Sequence, residues 1–193
     1  MAVNADNIFI GLPDQSTTGA VLTAPVGTTA PTSVSSALTG FTASGYVSED
    51  GMTLSPSWNT TDLHDWSGSV VRTLLDDFTG EISLSEIEFL GEAGAKHCFG
   101  DNNVSVTAAT SGHGTQLTVS LGTDLPDEVS WAFKMKDGDR KVLVYVPRGQ
   151  VVSIDSIAFN RNNAAPLPYT ISCHADSTGK SIYIFTDDGV TTS

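Results

Sequence analysis

The chain is short of positive charge. It has 9 Lys and Arg residues against 22 Asp and Glu residues, which gives a formal net charge of −13. The deficit is uneven: residues 1–95 hold 12 acidic residues and one base, Arg72, so this half carries −11 and the remainder −2. A field of that sign repels phosphate backbones and excludes tight or sequence-specific binding of nucleic acid. It does not exclude a surface past which DNA moves without being held.

Long apolar runs are missing as well. No stretch approaches the roughly 20 apolar residues that cross a bilayer. The first residues, Met-Ala-Val-Asn-Ala-Asp, include neither the basic segment nor the apolar stretch of a secretion signal. We therefore expect a chain that is made in the cytoplasm and has no membrane partner.

Cysteine is scarce, with Cys98 and Cys173 alone. In a reducing compartment two buried thiols are favoured over a disulfide. His97 adjoins Cys98 and His174 adjoins Cys173, so a Cys₂His₂ zinc site remains an alternative. Neighbouring residues on a strand point to opposite faces, which makes it hard for Cys173 and His174 to bind one ion. The sequence favours a protein without metal or cofactor.

The common catalytic motifs do not occur. There is no phosphate-binding loop, no Gly-x-Ser-x-Gly and no Gly-x-Gly-x-x-Gly. Asp137-Gly-Asp139 and Asp187-Asp-Gly189 lack the spaced ligands of a calcium loop and fit turns instead. Adjacent carboxylates such as Asp76 and Asp77 would face opposite ways on a strand. We predict that the protein is not an enzyme.

Turn and strand signals, in contrast, are abundant. Asp137-Gly138 between two apolar runs is the strongest hairpin signal in the chain. The regular spacing of turn residues predicts a mainly β protein, either a sandwich or a barrel. The strands predicted after residue 100 are Asn103–Thr110, Thr115–Gly122, Glu128–Lys136, Asp139–Val146, Val151–Phe159, Pro168–His174 and Ser181–Thr186.

An alternating stretch begins at Leu74. Its apolar positions share one parity, whereas Asp77 and Glu81 share the other. The apolar positions are Leu74, Phe78, Ile82 and Leu84. This period of two is typical of a strand with one packed face and one wet, acidic face.

The pattern changes to helical spacing at Ser85. Ser85 and Glu88 form a possible capping box, and Gly100 is suited to ending a helix. Apolar and small residues recur between them at Ile87, Leu90, Gly94 and Cys98. We predict one flanking α-helix over this stretch, held by packing.

Residues 1–44 are rich in Ala, Thr, Ser, Gly and Pro. Short apolar runs occur at 8–12 and 20–24, and Pro25, Gly27 and Pro31 break the apolar pattern. Such a segment is typical of an extended N-terminal arm with one or two strands that need a partner surface. A flexible linker is the alternative.

Three segments, in order along the chain, point to a family. They are Gly19-Ala-Val-Leu-Thr-Ala-Pro-Val-Gly-Thr28, Gly45-Tyr-Val-Ser-Glu-Asp-Gly51 and Trp66-Ser-Gly-Ser-Val-Val-Arg72. The second predicts a strand entering a tight turn, because Asp50-Gly51 tolerates a positive φ. Over about residues 19–100 the chain thereby resembles the major tail (tail tube) proteins of long-tailed bacteriophages. A weaker match lies at 168–171 and 176–183.

The resemblance implies a structural virion protein. Members of this family form hexameric rings that stack into the hollow tail tube, the conduit for DNA ejection. The implied partners are further copies of the chain, other tail proteins (tape measure, terminator, baseplate or tip) and DNA in non-specific passage. The implied localisation is the virion tail, after synthesis in the host cytoplasm. We expect one tail tube domain over residues 1–193, without a C-terminal immunoglobulin-like domain.

The same resemblance suggests candidate site residues. Those expected at subunit interfaces are Tyr46, Glu49, Asp50, Trp66 and Arg72. Asp77 and Glu81, on the wet face of the alternating strand, are candidates for the wall of the lumen. An ordinary solvated outer face is the alternative for these two residues.

A monomeric β-sandwich module that binds carbohydrate is the rival function. Its stacking platforms would be drawn from Trp58, Trp66 and Trp131, although tryptophans in β proteins usually serve a core or an interface. The molecular mass in solution separates the two, since a binding module is monomeric and a tube protein forms rings or polymers.

Overall fold

Antiparallel strands, one α-helix and a short 3₁₀-helix, Asp101–Asn103, make up the regular structure of the described residues. The computed structural model describes residues 8–14 and 19–191. The strands are β1 Leu12–Pro13, β2 Val21–Pro25, β3 Thr42–Ala43, β4 Val47–His64, β5 Val70–Glu86, β6 Val104–Thr107, β7 Gln116–Val119, β8 Val129–Asp137, β9 Arg140–Ile154, β10 Leu167–His174 and β11 Tyr183–Asp187. The helix is α1, Glu92–Phe99. The prediction of a mainly β protein with one helix is confirmed. Within the described ranges, no helix has the length and apolarity needed to cross a membrane.

Nine strands form one curled sheet. Their order is β3-β2-β8-β9-β10-β5-β4, with β1 paired to β8 and β11 paired to β9. Strand β1 also lies against β4, so the sheet curls until its two edges approach each other. Strands β6 and β7 form a separate hairpin. The result resembles a barrel that is not fully closed.

The main core lies on the inner face of the curled sheet. It contains Trp131, Phe133, Ile82, Leu167 and Ile171, all at least nine-tenths buried. Three residues of α1 complete it: Ala95, Cys98 and Phe99. Each fully buried large apolar side chain contributes roughly 1.5–3 kcal/mol. The helix is therefore held by packing, as expected.

A second, smaller core lies on the outer face. Its buried residues are Leu22, Ala132 and Leu143. Successive side chains along a strand point to opposite faces, so these three lie on the side of the sheet opposite to the main core. The irregular segment 26–41 covers them with Val34, Leu38 and Phe41. This cover reaches only the β2-β8-β9 side, so the outer face of the remaining strands stays open.

The helix begins later than predicted. Ser85 and Glu86 continue β5, where they pair with Pro168 and Leu167 of β10. Helix α1 starts only after Gly91, and no side chain caps it, so the predicted capping box is wrong. Gly100 ends it at φ 84°, as predicted. Cross-strand pairing with β10 has extended the strand at the expense of the helix.

The hairpin predictions after residue 100 are largely correct. Strands β6 and β7 pair as expected, and β8 and β9 form the predicted hairpin, although its two-residue turn is Gly138-Asp139, one residue later than Asp137-Gly138. The separate strand predicted at Val151–Phe159 is wrong, because β9 runs unbroken to Ile154. Gly149 lies inside it, where a Cβ would clash with the indole of Trp131. That glycine marks a close approach rather than a break.

Part of the N-terminal segment belongs to the main sheet. Strand β2 pairs with β8 over its whole length, and Val21 and Leu22 are buried. Strand β1 pairs with β8, and strand β3 pairs with β2. Residues 1–7 and 15–18 of the predicted arm lie outside the described residues.

Candidate assembly surfaces

The most prominent surface is a hairpin that outgrows its sheet. Strands β4 and β5 pair down to His64 and Val70, but β10 lies beside β5 only from Gly80 onward. From Pro56, opposite Gly80, eight residues at ~3.4 Å each carry the end of β4 roughly 27 Å beyond the sheet. We call residues 57–79 the distal hairpin. Its side chains are exposed except that of Phe78, which is half-buried.

The distal hairpin is rich in exposed apolar side chains. Trp66 is 104% exposed, and Trp58, at 63%, packs against Phe78 across the strands with ring centroids 5.2 Å apart. Further exposed members are Leu63, Val70, Val71, Leu74 and Leu75. A two-stranded hairpin is marginal on its own, and a concentration of apolar surface this large marks an interaction site. The hairpin has the character of an element that needs a partner.

The tip of the hairpin is an ordered turn. Gly68 has φ 85°, and its backbone N–H donates to the Asp65 carbonyl at 3.0 Å. The Asp65 carboxylate accepts the Ser67 hydroxyl at 2.6 Å and the Ser69 amide at 2.9 Å. These bonds, the Ser67 hydroxyl first, lower the pKa of Asp65. Trp66 is thus held outward on a defined loop.

The Asp50-Gly51 turn predicted from the sequence is wrong, although Gly51 does adopt a positive φ of 67°. It lies inside β4, in a bulge. The pairing jumps from Val47 opposite Glu86 to Met52 opposite Leu84, so four residues of β4 face one of β5. A bulge satisfies the same backbone preference as a turn, which is why the local signal could not distinguish them.

Glycines just before β4 and β2 allow close contacts. A Cβ on Gly45 would overlap the Glu88 carboxylate, and one on Gly19 would overlap the Ser44 carbonyl. The same Glu88 carboxylate accepts the Tyr46 amide at 3.1 Å, and the Ile87 amide donates to the Tyr46 carbonyl at 3.0 Å. The Gly45-Tyr46 corner therefore fixes the start of β4 against the end of β5.

We expect Gly45→Ala to destabilise the fold. The methyl group must displace the end of the flexible Glu88 side chain, which breaks the hydrogen bond between its carboxylate and the Tyr46 amide, so the free energy of unfolding should fall by about 0.5–1.5 kcal/mol. Urea denaturation measures it. Gly114→Ala is the matched control, because Gly114 has open space around it and should change stability by less than about 0.5 kcal/mol. Equal stabilities for the two variants would contradict this role of the corner.

The sequence-predicted interface residues form two patches. Tyr46, Glu49 and Asp50 lie at the start of β4, beside the end of β5, whereas Trp66 and Arg72 lie at or near the tip of the distal hairpin. All five are exposed. Twelve residues of strand from Met52 to His64 separate the patches by about 40 Å. The structure does not bring the five residues together.

The open part of the outer face is a surface of hydroxyl groups. We call it the hydroxyl-rich face, and its members are Thr53, Ser55, Thr79, Glu81, Ser83, Gln150, Ser153, Thr170 and Ser172. Ser83 and Thr170 are linked across the strands at 3.0 Å. Glu81 is the one charged member, and Asp77 extends the same face onto the distal hairpin. The predicted wet parity of β5 is confirmed for these two acids, which are exposed while Ile82 and Leu84 are buried.

A bulge changes the parity nearer the tip. The pairing moves from Asn59 opposite Asp77 to Thr60 opposite Leu75, so Asp76 is an extra residue. Leu75 rather than Leu74 therefore shares the face of Phe78, and the prediction for Leu74 is wrong. Leu74 lies on the opposite face of the hairpin. Apolar residues consequently occupy both faces of the distal hairpin.

The basic groups at the margin of the hydroxyl-rich face are paired. Arg148 binds Glu128 through two nitrogens at 2.9 and 2.6 Å, and His174 Nδ1 lies 2.6 Å from the same carboxylate. Arg148 first, then His174, hold the pKa of Glu128 below its usual range. The pairing leaves little net positive charge beside this face.

Trp131 and the two cysteines, which the sequence offered for sugar or metal binding, are buried in the structure. Trp131 is 1% exposed, so it is not available as a stacking platform. Cys98 and Cys173 are free and buried, and burial raises the pKa of each thiol to about 12. Within the described ranges, no group of three or more His, Cys, Asp or Glu side chains could hold a metal ion.

Comparison with known proteins identifies a family. No curated protein matches the chain. Among solved structures it is similar to a chain from the cryo-EM structure of the anti-feeding prophage cap (AFP tube terminating cap), at TM-score 0.48 and 15% identity, over 97% of this chain and 100% of that one. The family model of phage tail tube proteins matches residues 1–192. The chain therefore belongs to the phage tail tube protein family, a structural family of the virion tail and not a family of enzymes.

Proposed function

We propose that this protein assembles into hexameric rings that stack as the hollow tail tube through which DNA is ejected. The observation that carries the proposal is the distal hairpin. It extends roughly 27 Å beyond the sheet and exposes two tryptophans and several leucines and valines to solvent. A soluble monomer gains nothing from such an element, whereas a ring uses it to bury apolar surface between subunits.

The two interface patches suit contacts with different neighbours. A closed ring is built from a heterologous contact in which one surface of a subunit meets a different surface of the next. The tip, with Trp66 and Arg72, reaches a neighbour, while Tyr46, Glu49 and Asp50 serve a second contact near the body. Strand β4 is also the last strand of the sheet, and its outer edge offers unpaired backbone groups to a partner.

The hydroxyl-rich face is our candidate for the wall of the lumen. DNA that slides through a tube needs a wall that does not grip it, and basic side chains would add phosphate contacts. This face presents short hydroxyl side chains with acids at Asp77 and Glu81, so it hydrates well and repels phosphate. The competing placement, an outer surface of the tube, predicts no effect of its charge on DNA passage.

A tube protein also contacts other proteins of the tail, and these are the remaining partners that we propose. A tube of fixed length needs a tape measure protein inside it, a terminator at one end and baseplate or tip proteins at the other. The chain is made in the host cytoplasm and carried in the virion, and DNA passes it without specific recognition.

Assembly is testable with purified protein. At high concentration, light scattering should give a mass of six subunits or a multiple of six, and negative-stain micrographs should show rings or tubes. An initiating tail protein accelerates the process if nucleation is slow. A chain that stays monomeric at high concentration with such a partner present contradicts the proposal and restores the carbohydrate-binding alternative.

A further inference from the structure

Basic residues are concentrated around one turn of an otherwise acidic chain. Four of the nine Lys and Arg residues lie within the eight positions that surround the turn between β8 and β9: Lys134, Lys136, Arg140 and Lys141. Residues 8–14 and 133–142 together hold these four bases and three acids, a net charge of +1, so the other residues account for −14. An acidic partner is therefore repelled less here than by the rest of the chain.

Exposed aliphatic side chains lie beside these bases. Ile8, Ile10 and Leu12 are 65%, 61% and 55% exposed. Their backbone is nevertheless held in place, because the Ile10 amide donates to the Asp137 carboxylate at 3.3 Å and the Arg140 guanidinium donates to the Ile8 carbonyl at 3.2 Å. The segment is fixed by its main chain while its large side chains remain in solvent. Adjacent apolar side chains exposed in this way mark a surface that a partner covers.

The strand register places aliphatic and basic groups on one face. Leu12 is directly opposite Lys136 in the pairing of β1 with β8, and Lys136 is directly opposite Lys141 in the pairing of β8 with β9. Directly paired residues project from the same face of a sheet. Lys136 forms an ion pair with Asp14 at 3.2 Å and stays 42% exposed, and Lys141 lies opposite Asp187 on β11. We call this surface the basic patch, and its members are Ile8, Ile10, Leu12, Lys136 and Lys141.

The distal hairpin has the opposite charge and the same apolar character. Residues 57–79 hold four acids against one base, Arg72, which gives a net charge of −3. The acids are Asp62, Asp65, Asp76 and Asp77. The exposed tryptophans, leucines and valines of this hairpin need a partner surface that is itself apolar. The basic patch supplies aliphatic side chains together with positive charge.

The basic patch and the distal hairpin lie toward the same end of the sheet. Gly80 of β5, Cys173 of β10 and Gly149 of β9 are in register, and β5 and β9 run in the same direction. The distal hairpin precedes Gly80, just as the β8–β9 turn precedes Gly149. A rotation about an axis parallel to these strands therefore brings the hairpin of one copy beside the patch of the next at the same height. Ring closure by a heterologous contact needs this relation.

We infer that the basic patch is the docking site for the distal hairpin of a second copy of this chain. The inference rests on the proposed function and specifies which surface of the neighbour the hairpin meets. Aliphatic side chains of the patch pack against the apolar side chains of the hairpin, while Lys136 and Lys141 face its aspartates. The acidic surface elsewhere disfavours other placements of an acidic hairpin.

Charge reversal on the two surfaces tests the docking site. Lys136→Glu with Lys141→Glu reverses the patch, and Asp62→Lys with Asp76→Lys reverses the hairpin. Each variant alone places like charges against each other, so the concentration at which rings or tubes form should rise at least about tenfold at low salt. An equimolar mixture should assemble as wild type does, because in a ring that alternates the two variants every hairpin meets a patch of opposite charge. Light scattering and negative-stain micrographs measure assembly.

A second variant tests the apolar part of the patch. Ile10→Ser with Leu12→Ser should also raise the concentration needed for assembly, and adding salt should not restore it, since no charge has changed. Leu121→Ser is the matched control, because Leu121 is 65% exposed and lies outside the patch, and it should assemble at the wild-type concentration. Equal effects of the two variants would contradict a role for the patch.

The outcomes distinguish the docking site from the proposed function. A wild-type chain that forms no rings or tubes contradicts the proposed function and the docking site with it. Wild-type assembly together with normal assembly of both reversed variants overturns the docking site alone, as does a mixture that assembles no better than its components. If the doubly reversed patch does not fold, Lys141→Glu alone replaces it, since this change leaves the ion pair of Lys136 with Asp14 intact.

Discussion

Replacing residues 58–78 with Asn-Gly should leave a folded monomer that no longer assembles. Ser57 and Thr79 pair directly across the strands, so a two-residue turn can close the hairpin at this point. Every residue of the main core lies outside the deleted segment, so the free energy of unfolding should change by no more than about 1 kcal/mol. Assembly should disappear altogether, because the variant has lost Trp58, Trp66 and the other exposed apolar side chains of the distal hairpin. Light scattering and electron microscopy measure the outcome.

Two further variants identify what the hairpin contributes. Replacing Trp66, Leu74 and Leu75 by Ser keeps the hairpin backbone and removes apolar contacts, and it should prevent assembly as well. Thr60→Ser with Thr73→Ser changes the same hairpin without touching its apolar side chains and should assemble normally. Tubes formed by the deletion variant would show that the hairpin is not an interface.

The double substitution Asp77→Lys and Glu81→Lys should permit tubes but slow DNA ejection. Each subunit then presents two ammonium groups on the hydroxyl-rich face, and each can contact a phosphate as DNA moves past. Because such contacts release counterions, we expect a slowing of at least about tenfold at low salt that diminishes steeply as salt rises. Ejection triggered in vitro from phage that carry the variant measures the rate.

The control variant makes the same change in charge at two acidic residues elsewhere on the surface. Asp124→Lys with Asp188→Lys alters two exposed acids outside the hydroxyl-rich face and should leave ejection at the wild-type rate. Normal particles with unchanged ejection in the Asp77 and Glu81 variant would exclude this face from the lumen. Equal slowing in both variants would indicate an effect of net charge and not of position.

Local signals were sufficient for much of the fold. Asp137-Gly138 predicted a hairpin, and strands β8 and β9 form one. The alternation around Ile82 predicted which face of β5 is exposed to solvent. Both features depend on residues that are close together in the sequence, so the sequence alone predicts them. The family segments were likewise recognisable, and the structure gives two of their glycines, Gly45 and Gly19, a physical reason in close backbone contacts.

The errors lie where distant strands decide the outcome. Ser85 and Glu86 matched a helix start, but pairing with Leu167 and Pro168 kept them in a strand. Asp50-Gly51 matched a turn, but the partner strand absorbed it as a bulge. The length of the hairpin was also hidden, because the segment from Trp66 to Arg72 carries no sign that its strands extend beyond the rest of the sheet. Glu86 shares the parity of Ile82 and Leu84, the packed face of β5, but the helix predicted from Ser85 concealed this signal.

A cryo-EM map of the assembled tube, at a resolution that traces side chains, tests the account most directly. We predict rings of six subunits in which the hydroxyl-rich face, with Glu81, lines the lumen and the distal hairpin packs against a neighbouring subunit. A map in which helix α1 or segment 26–41 faces the lumen, with the distal hairpin free in solvent, would contradict it.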